Sequence, residues 1–380
     1  MNVKKWLTIY ICIVMGLTVS LMISVVVIDP YLHFHGPLSG LEYPFNDPRY
    51  VNDGIIRHFD YEAMITGTSM SDNFSTSRLE KEWNCEAIKV TFSGATYHEI
   101  SENIARAIDR QPKLKRVICS IDPNNIGTEE DTYTYEGCPV YLYDDIWWND
   151  VKYVFNKDVI VQALAVINYT RAGKTTPTFD EYARYDLYRP FGREAVLASY
   201  NRMEKQDLGR DFSEEDRIAI YNNITNNYVK LARDNPQVEF YFFIPPYSMC
   251  YWDGLVRTNQ LDYAVAAMKY GIGLLVAEEN IHVYGFDNKY EITTNLDRYM
   301  DTIHYDAKVN DLILESILKG ENELSVEDVS SYYDEIVEFY QHFEFPFGED
   351  SAEQQETFRG GLCFRVDENI QVTDMELFAE

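Results

Sequence analysis

Ser69, Asp301 and His304 carry the chemistry that this sequence offers. Ser69 ends Gly67-Thr68-Ser69 within YEAMITGTSMSDN, a short apolar strand running into a turn, with the serine where a helix would begin. Asp301 and His304 form DTIH near the other end of the chain. A serine hydroxyl is a poor nucleophile at neutral pH and needs a base, whose tautomer a third group must hold. Asp-x-x-His supplies both, because so short a spacing lets the carboxylate meet Nδ1 while Nε2 faces outward. GTS and DxxH are weak signals separately. Together, at opposite ends of one domain, they point to nucleophilic acyl chemistry.

Such residues need a sheet to bring them together, and the chain has the rhythm for one. Strands are expected over 63–66, 87–92, 116–121, 238–246 and 281–287. Helical stretches are expected over 71–83, 97–110, 213–235, 259–279 and 307–318. The helix over 97–110 is amphipathic, with Ile100, Ile104, Ala107 and Ile108 three or four apart. Strand, turn and helix in units of this length imply an α/β fold with a mostly parallel sheet and right-handed crossovers. Ligands in such sheets bind at the carboxyl ends of the strands, where Ser69 falls. The run Phe240 to Ile244 suits a strand buried on both faces. Pro245-Pro246 then directs Tyr247 and Ser248 across the same edge.

The first 28 residues are of another kind. Two lysines precede an uncharged run from Trp6 to Ile28, long enough to cross a hydrocarbon core as a helix. Lys4 and Lys5 place the N-terminus in the cytoplasm and everything after Asp29 outside, which makes a single-pass cell-membrane protein with an extracellular domain. The run is too long for a usual signal-peptide core and has no small-residue cleavage site, so an uncleaved anchor is expected. Trp6 would sit at the inner interface, and Tyr31 and His33 near the outer one. An extended linker over 29–60 follows, then the α/β domain over 61–320, then an acidic extension over 321–380. That extension has 17 acidic residues against two arginines and one amphipathic helix, for which Ser325 is a candidate cap. Its tail, with Gly360-Gly361 and LCFRVD, reads as a hairpin or a loose extension.

With 62 Asp+Glu against 33 Lys+Arg the net charge is -29, which opposes binding to nucleic acid or to an anionic lipid surface. Six widely spaced cysteines without CxxC form neither a disulfide scaffold nor a zinc site, although one or two bridges are compatible with them. No compact His/Asp cluster calls for a metal, and no cofactor is implied. Residues 127–212 interrupt the rhythm and read as a structured insertion or lid, too aromatic to be disordered. Trp147 and Trp148, with Tyr141 and Tyr143, are candidates for a substrate groove or for packing of the lid. His98, four residues beyond Gly94, is a candidate substrate contact.

These motifs resemble the SGNH/GDSL hydrolase superfamily. Within it they are most similar to the membrane-anchored bacterial branch that includes the teichoic acid D-alanylation protein DltD and the alginate O-acetylation proteins. The nucleophile block falls on Gly67-Thr68-Ser69, the oxyanion glycine on Gly94 in FSGATYHE, and the last block on Asp301 and His304. The resemblance covers roughly residues 62–318. It implies a three-layer α/β/α, flavodoxin-like fold and an extracytoplasmic serine esterase or O-acyltransferase. Its implied partners are a cell-envelope polysaccharide or teichoic-acid-like polymer, or an acyl-donor membrane protein. The family's Gly-x-Asn-Asp block is replaced by CSIDPNN, which puts Asp122 where an amide donor or substrate contact is wanted. A carboxylate there would repel an oxyanion unless protonated or turned away. Asn73, Asn124 and Asn125 are the candidate substitutes, and the alternative is a catalytically inactive envelope assembly or polymer-binding protein.

Overall fold

The computed structural model describes residues 3–134 and 138–347. Its parallel strands are β1 (Ala63–Thr66), β2 (Ala87–Lys89), β3 (Arg116–Ser120), β4 (Glu239–Ile244) and β5 (Ile281–Gly285). A two-residue strand, β6 (Glu323–Leu324), pairs antiparallel with β5. Before the sheet come α1 (Val3–Ile28) and α2 (Pro48–His58), while α3 (Thr76–Trp83) and α4 (Tyr97–Arg110) cross between its first strands. The long segment after β3 holds α5 (Val151–Val154), α6 (Lys157–Arg171) and α7 (Arg193–Ser199). Next, α8 (Glu214–Ile224) continues through a π-helical stretch, Thr225–Val229, into α9 (Lys230–Asp234). The remaining helices are α10 (Met249–Arg257), α11 (Leu261–Leu275), α12 (Tyr290–Thr293), α13 (Ala307–Lys319) and α14 (Asp328–His342).

The sheet order is β2-β1-β3-β4-β5-β6, so the chain reverses direction across the sheet between β1 and β3. A crevice opens at the carboxyl ends of strands where the order reverses in this way. Side chains alternate between the faces of each strand. Met64, Val117, Cys119, Phe242 and Val283 join one apolar cluster with Ile55, Ile104, Ile272 and Tyr333 from α2, α4, α11 and α14. Ala63, Ile65, Ile118, Phe243 and Tyr284 join the other, with Leu79 and Ile313 from α3 and α13. Helices therefore cover both faces, and this is why the strands read as continuous apolar runs.

The strands are shorter than the sequence pattern suggests. The second expected strand stops at Lys89, although Val90 and Phe92 still donate to Ile65 and Gly67. The periodicity did not reveal α2, α10 or β6. Residues 48–58 are helical and packed, where an extended lead-in was expected. Pro48 starts that helix in the position where its missing N–H costs nothing.

α1 is long and apolar enough to cross a membrane, and Val25 is its one buried residue. It ends in a tight polar knot around the buried Asp29 carboxylate, which accepts from the N–H groups of His33, Phe34 and His35 and from the Tyr153 hydroxyl (2.6–3.0 Å). Tyr31 and His33 are buried in this collar. The five described cysteines are free thiols. Gly360, Gly361 and Cys363 lie outside the described residues.

A second buried carboxylate makes stability depend on pH. Asp287, just past β5, accepts from the Tyr332 hydroxyl, and burial pushes its pKa up to about 7. A folded pKa above the unfolded value gives stability that is complete below the ordinary aspartate range and lost as the pH rises through 7. Asp287→Asn is therefore expected to be more stable than the wild type at pH 8, by up to a few kcal/mol, with the advantage vanishing near pH 4. Thermal unfolding across that range checks this. A difference independent of pH would show that ionisation of Asp287 plays no part.

Candidate active site

Gly67 makes the turn after β1 possible. Its φ is +121°, and a Cβ there would meet Ser120 Oγ at 2.5 Å and Ser71 Oγ at 2.6 Å, so only glycine fits. Thr68 then caps the single 3-10 turn Ser69–Ser71 by accepting from Met70 N–H (3.3 Å). Beyond the turn, buried Lys89 donates to the carbonyls of Asp72 (2.5 Å) and Phe74 (3.1 Å) and fixes the chain that leaves Ser69. Burial lowers the Lys89 pKa and raises that of Asp72. Both shifts reflect the loss of water around charge.

Ser69 Oγ lies 2.7 Å from His304 Nε2, and His304 Nδ1 lies 2.7 Å from Asp301 Oδ2. Asp301 Oδ1 accepts from the N–H groups of Ile303 (2.9 Å) and His304 (2.8 Å). These bonds to His304 and to the backbone hold its carboxyl below the usual range despite burial. An ionised carboxylate only accepts, so Nδ1 carries the imidazole proton and Nε2 is left to take one from Ser69.

Hydrogen bonds across the domain join the two distant segments. The Tyr305 hydroxyl (3.3 Å) and Asn310 Nδ2 (2.9 Å) both donate to Met70 O, next to Ser69. Asn73 Nδ2 donates to Tyr305 O (3.3 Å). From the end of β4, the Ser248 N–H (3.2 Å) and hydroxyl (2.7 Å) both donate to Thr302 O, inside the Asp-x-x-His loop. Position alone placed Tyr247 and Ser248 near this edge, but their partners could not be read from the sequence.

Asp122 is 4% exposed and saturated. Its Oδ2 accepts from Thr68 Oγ1 (2.7 Å) and Ser120 Oγ (2.8 Å), and its Oδ1 from the Tyr247 hydroxyl (2.6 Å). Ser120 Oγ in turn accepts from Thr68 N–H (3.1 Å). Burial raises the Asp122 pKa while the three hydroxyls oppose the rise. The carboxylate is thus a strut that ties the 67–69 turn to β3 and to the segment after β4, with both oxygens engaged by protein hydroxyls.

The candidate amides are mostly committed elsewhere. Asn73 bonds Tyr305 O and accepts from Asp186 N–H (3.3 Å), and Asn125 Nδ2 donates to Ala95 O (2.7 Å). Asn124 is exposed on the turn Pro123–Asn125. Gly94 has φ +69° and, like Ser69, a backbone N–H with no hydrogen-bond partner among the described residues. Two backbone donors are therefore free at this edge, and no side-chain amide is committed to it.

The insertion divides into two parts. Residues 178–202 border the candidate site: Asp180 bonds Thr76 and Ser77 at the start of α3, and Gly192 N–H bonds Tyr299 O (2.9 Å). Tyr185 was not anticipated. Its ring stands edge-on to His304 at 5.3 Å, and its hydroxyl donates to Tyr305 O (2.9 Å). Tyr185→Ala is expected to lower kcat of any reaction at Ser69 about tenfold, by loosening the imidazole that it backs, whereas Tyr185→Phe should lose less. Steady-state kinetics of the two variants make the comparison.

Residues 141–155 run instead to the opposite sheet edge, where Asp145 pairs with Arg110 at the end of α4. Trp147 and Trp148 lie there, 81% and 67% exposed, so they do not line a groove beside Ser69. His98 is on the first turn of α4, but its ring packs on Tyr133 (4.9 Å) and lies 3.6 Å from Glu102. Among the described residues no group of His, Cys, Asp and Glu is arranged to hold a metal ion.

No family model matches this chain, and no curated protein does. A solved structure assigned as a platelet activating factor from Streptococcus pneumonia is similar over 76% of this chain and 92% of its own, at 11% identity and a TM-score of 0.34. A likeness at that level carries no argument for fold or function.

Proposed function

We propose that this chain is a membrane-anchored serine esterase or O-acyltransferase with an SGNH-like, flavodoxin-like domain, acting outside the cytoplasm on acyl esters of a cell-envelope polymer. The observation that carries the reading is the continuous chain Ser69 Oγ–His304 Nε2–Asp301, with both links at 2.7 Å. Ser69 attacks the acyl carbon as its proton passes to Nε2. The N–H groups of Ser69 and Gly94 hold the oxyanion. Collapse expels the alcohol, which takes the proton from His304 and leaves an acyl-serine. Water or a sugar hydroxyl then repeats the sequence with His304 as base and releases the acyl group.

The test is hydrolysis of short-chain nitrophenyl acyl esters by the full chain in detergent. Turnover with an early burst of nitrophenol is expected, because nitrophenolate leaves readily and deacylation is then the slower step, so the acyl-serine accumulates. A rate equal to that of a Ser69→Ala variant would remove the reading. A non-catalytic envelope-assembly role is the second reading, and one observation favours it: Asn73 and Asn125 direct their amides to Tyr305 O and Ala95 O and not to a site beside Ser69.

A further inference from the structure

Large apolar side chains ordinarily turn inward, but residues 146–155 expose five of them, while Tyr153 and Val154 of the same stretch are buried in the domain. Asp144 accepts from Ile146 N–H (2.8 Å) and Asn149 Nδ2 (2.8 Å), Asp145 pairs with Arg110, and Asp150 with His33 (2.9 Å). Asp144 and Asp150 are partly buried by these bonds, whereas Asp145 stays on the surface. Ile146, Trp147, Trp148, Val151 and Phe155 all face out, with Asp145 and Lys152 exposed among them. An exposed apolar group of this size on a soluble surface marks an interaction site.

The location identifies the partner. This stretch is fastened to the exit of α1 through Asp150–His33 and through Tyr153, whose hydroxyl donates to Asp29. A hydrocarbon core needs about 20 apolar residues; counted from Trp6, it ends near Val25, where α1 first becomes buried in the domain. At 1.5 Å per residue, Asp29 then stands about 6 Å beyond the core, within the headgroup layer. Trp147 and Trp148 are only two or three residues from Asp150. Indole rings favour that layer, where the apolar body and the N–H are both satisfied.

We infer that Ile146, Trp147, Trp148, Val151 and Phe155 form a membrane-seating surface that enters the headgroup layer of the leaflet from which α1 emerges. The inference rests on α1 crossing the bilayer as proposed above. With the net charge at -29, the attraction is apolar and interfacial, so zwitterionic lipid suffices. The surface and the Asp29 knot together hold the domain at one angle to the membrane, where a single helix would let it swivel.

The experiment uses the full chain in phosphatidylcholine vesicles carrying brominated acyl chains, and compares tryptophan quenching in the wild type and in Trp147→Ser/Trp148→Ser. Both positions are exposed, so folding is expected to survive, and circular dichroism checks that it does. The double variant should lose roughly two-thirds of the quenchable emission, with Trp6 supplying the remainder. Equal quenching in both proteins, with α1 still resistant to carbonate extraction, would overturn the seating surface and leave the anchor standing. Release of both proteins by carbonate would remove the anchor and the seating surface with it. A change of oligomeric state in the double variant, with quenching unchanged, would make the patch a protein interface and overturn the inference.

Discussion

Ser69→Ala is expected to lower acyl-ester turnover by about 10⁴- to 10⁶-fold and to abolish reaction with fluorophosphonates. The loss is large because no other hydroxyl among the described residues bonds His304 Nε2. His304→Ala should cost a similar factor, and the double variant hardly more, since nucleophile and base act as one unit. Asp301→Asn leaves the packing intact but disturbs the tautomer, and a loss of about 10⁴-fold is expected. The variants should melt close to the wild type, because Ser69 and His304 are only partly buried. Losses that simply add in the double variant would mean that Ser69 and His304 do not work together.

The second large effect is on stability. Asp122→Ala would leave the hydroxyls of Thr68, Ser120 and Tyr247 buried without their common acceptor. Each unsatisfied buried group costs about 1–3 kcal/mol, so a destabilisation of at least about 3 kcal/mol is expected. Asp122→Asn keeps one acceptor oxygen and the shape, and should lose less. It also discriminates between two views of the carboxylate. If Asp122 is a strut, the asparagine variant acylates Ser69 within about tenfold of the wild-type rate. If the carboxylate opposes the oxyanion, removing its charge should speed acylation by about 10²-fold, the scale of one oxyanion donor. Denaturant unfolding and the rate of fluorophosphonate labelling measure the two properties separately.

Much of the sheet was legible because a parallel strand buried on both faces must be apolar throughout. Met64–Ile65, Val117–Ile118 and Phe242–Phe243 each supply one side chain to either core. Ser69, His304 and Asp301 were legible because their chemistry demands particular residue types, two of them at short spacing. What supports them was not. The bonds from Tyr305, Asn310 and Asn73 span 232 to 240 residues, and no local pattern encodes such a separation. Asp122 was legible as an anomaly, but its meaning depends on Tyr247, 125 residues away. Trp147 and Trp148 show the converse failure. Indole rings suit sugars, cores and bilayer interfaces alike, and only their place at the far end of α4, beside the exit of α1, separates these uses. α2 escaped because Pro, Tyr, Asn and Gly within PRYVNDGIIRH hide its apolar face, Val51, Ile55 and Ile56.

The most direct measurement is mass spectrometry of the full chain after treatment with a fluorophosphonate, with the adduct mapped by peptide. One adduct on Ser69 is expected in the wild type, slowed by at least about 10³-fold in His304→Ala because the base is gone. No adduct on Ser69 in a folded protein, or labelling equally fast without His304, would contradict an activated serine and leave the 2.7 Å contacts as structural hydrogen bonds.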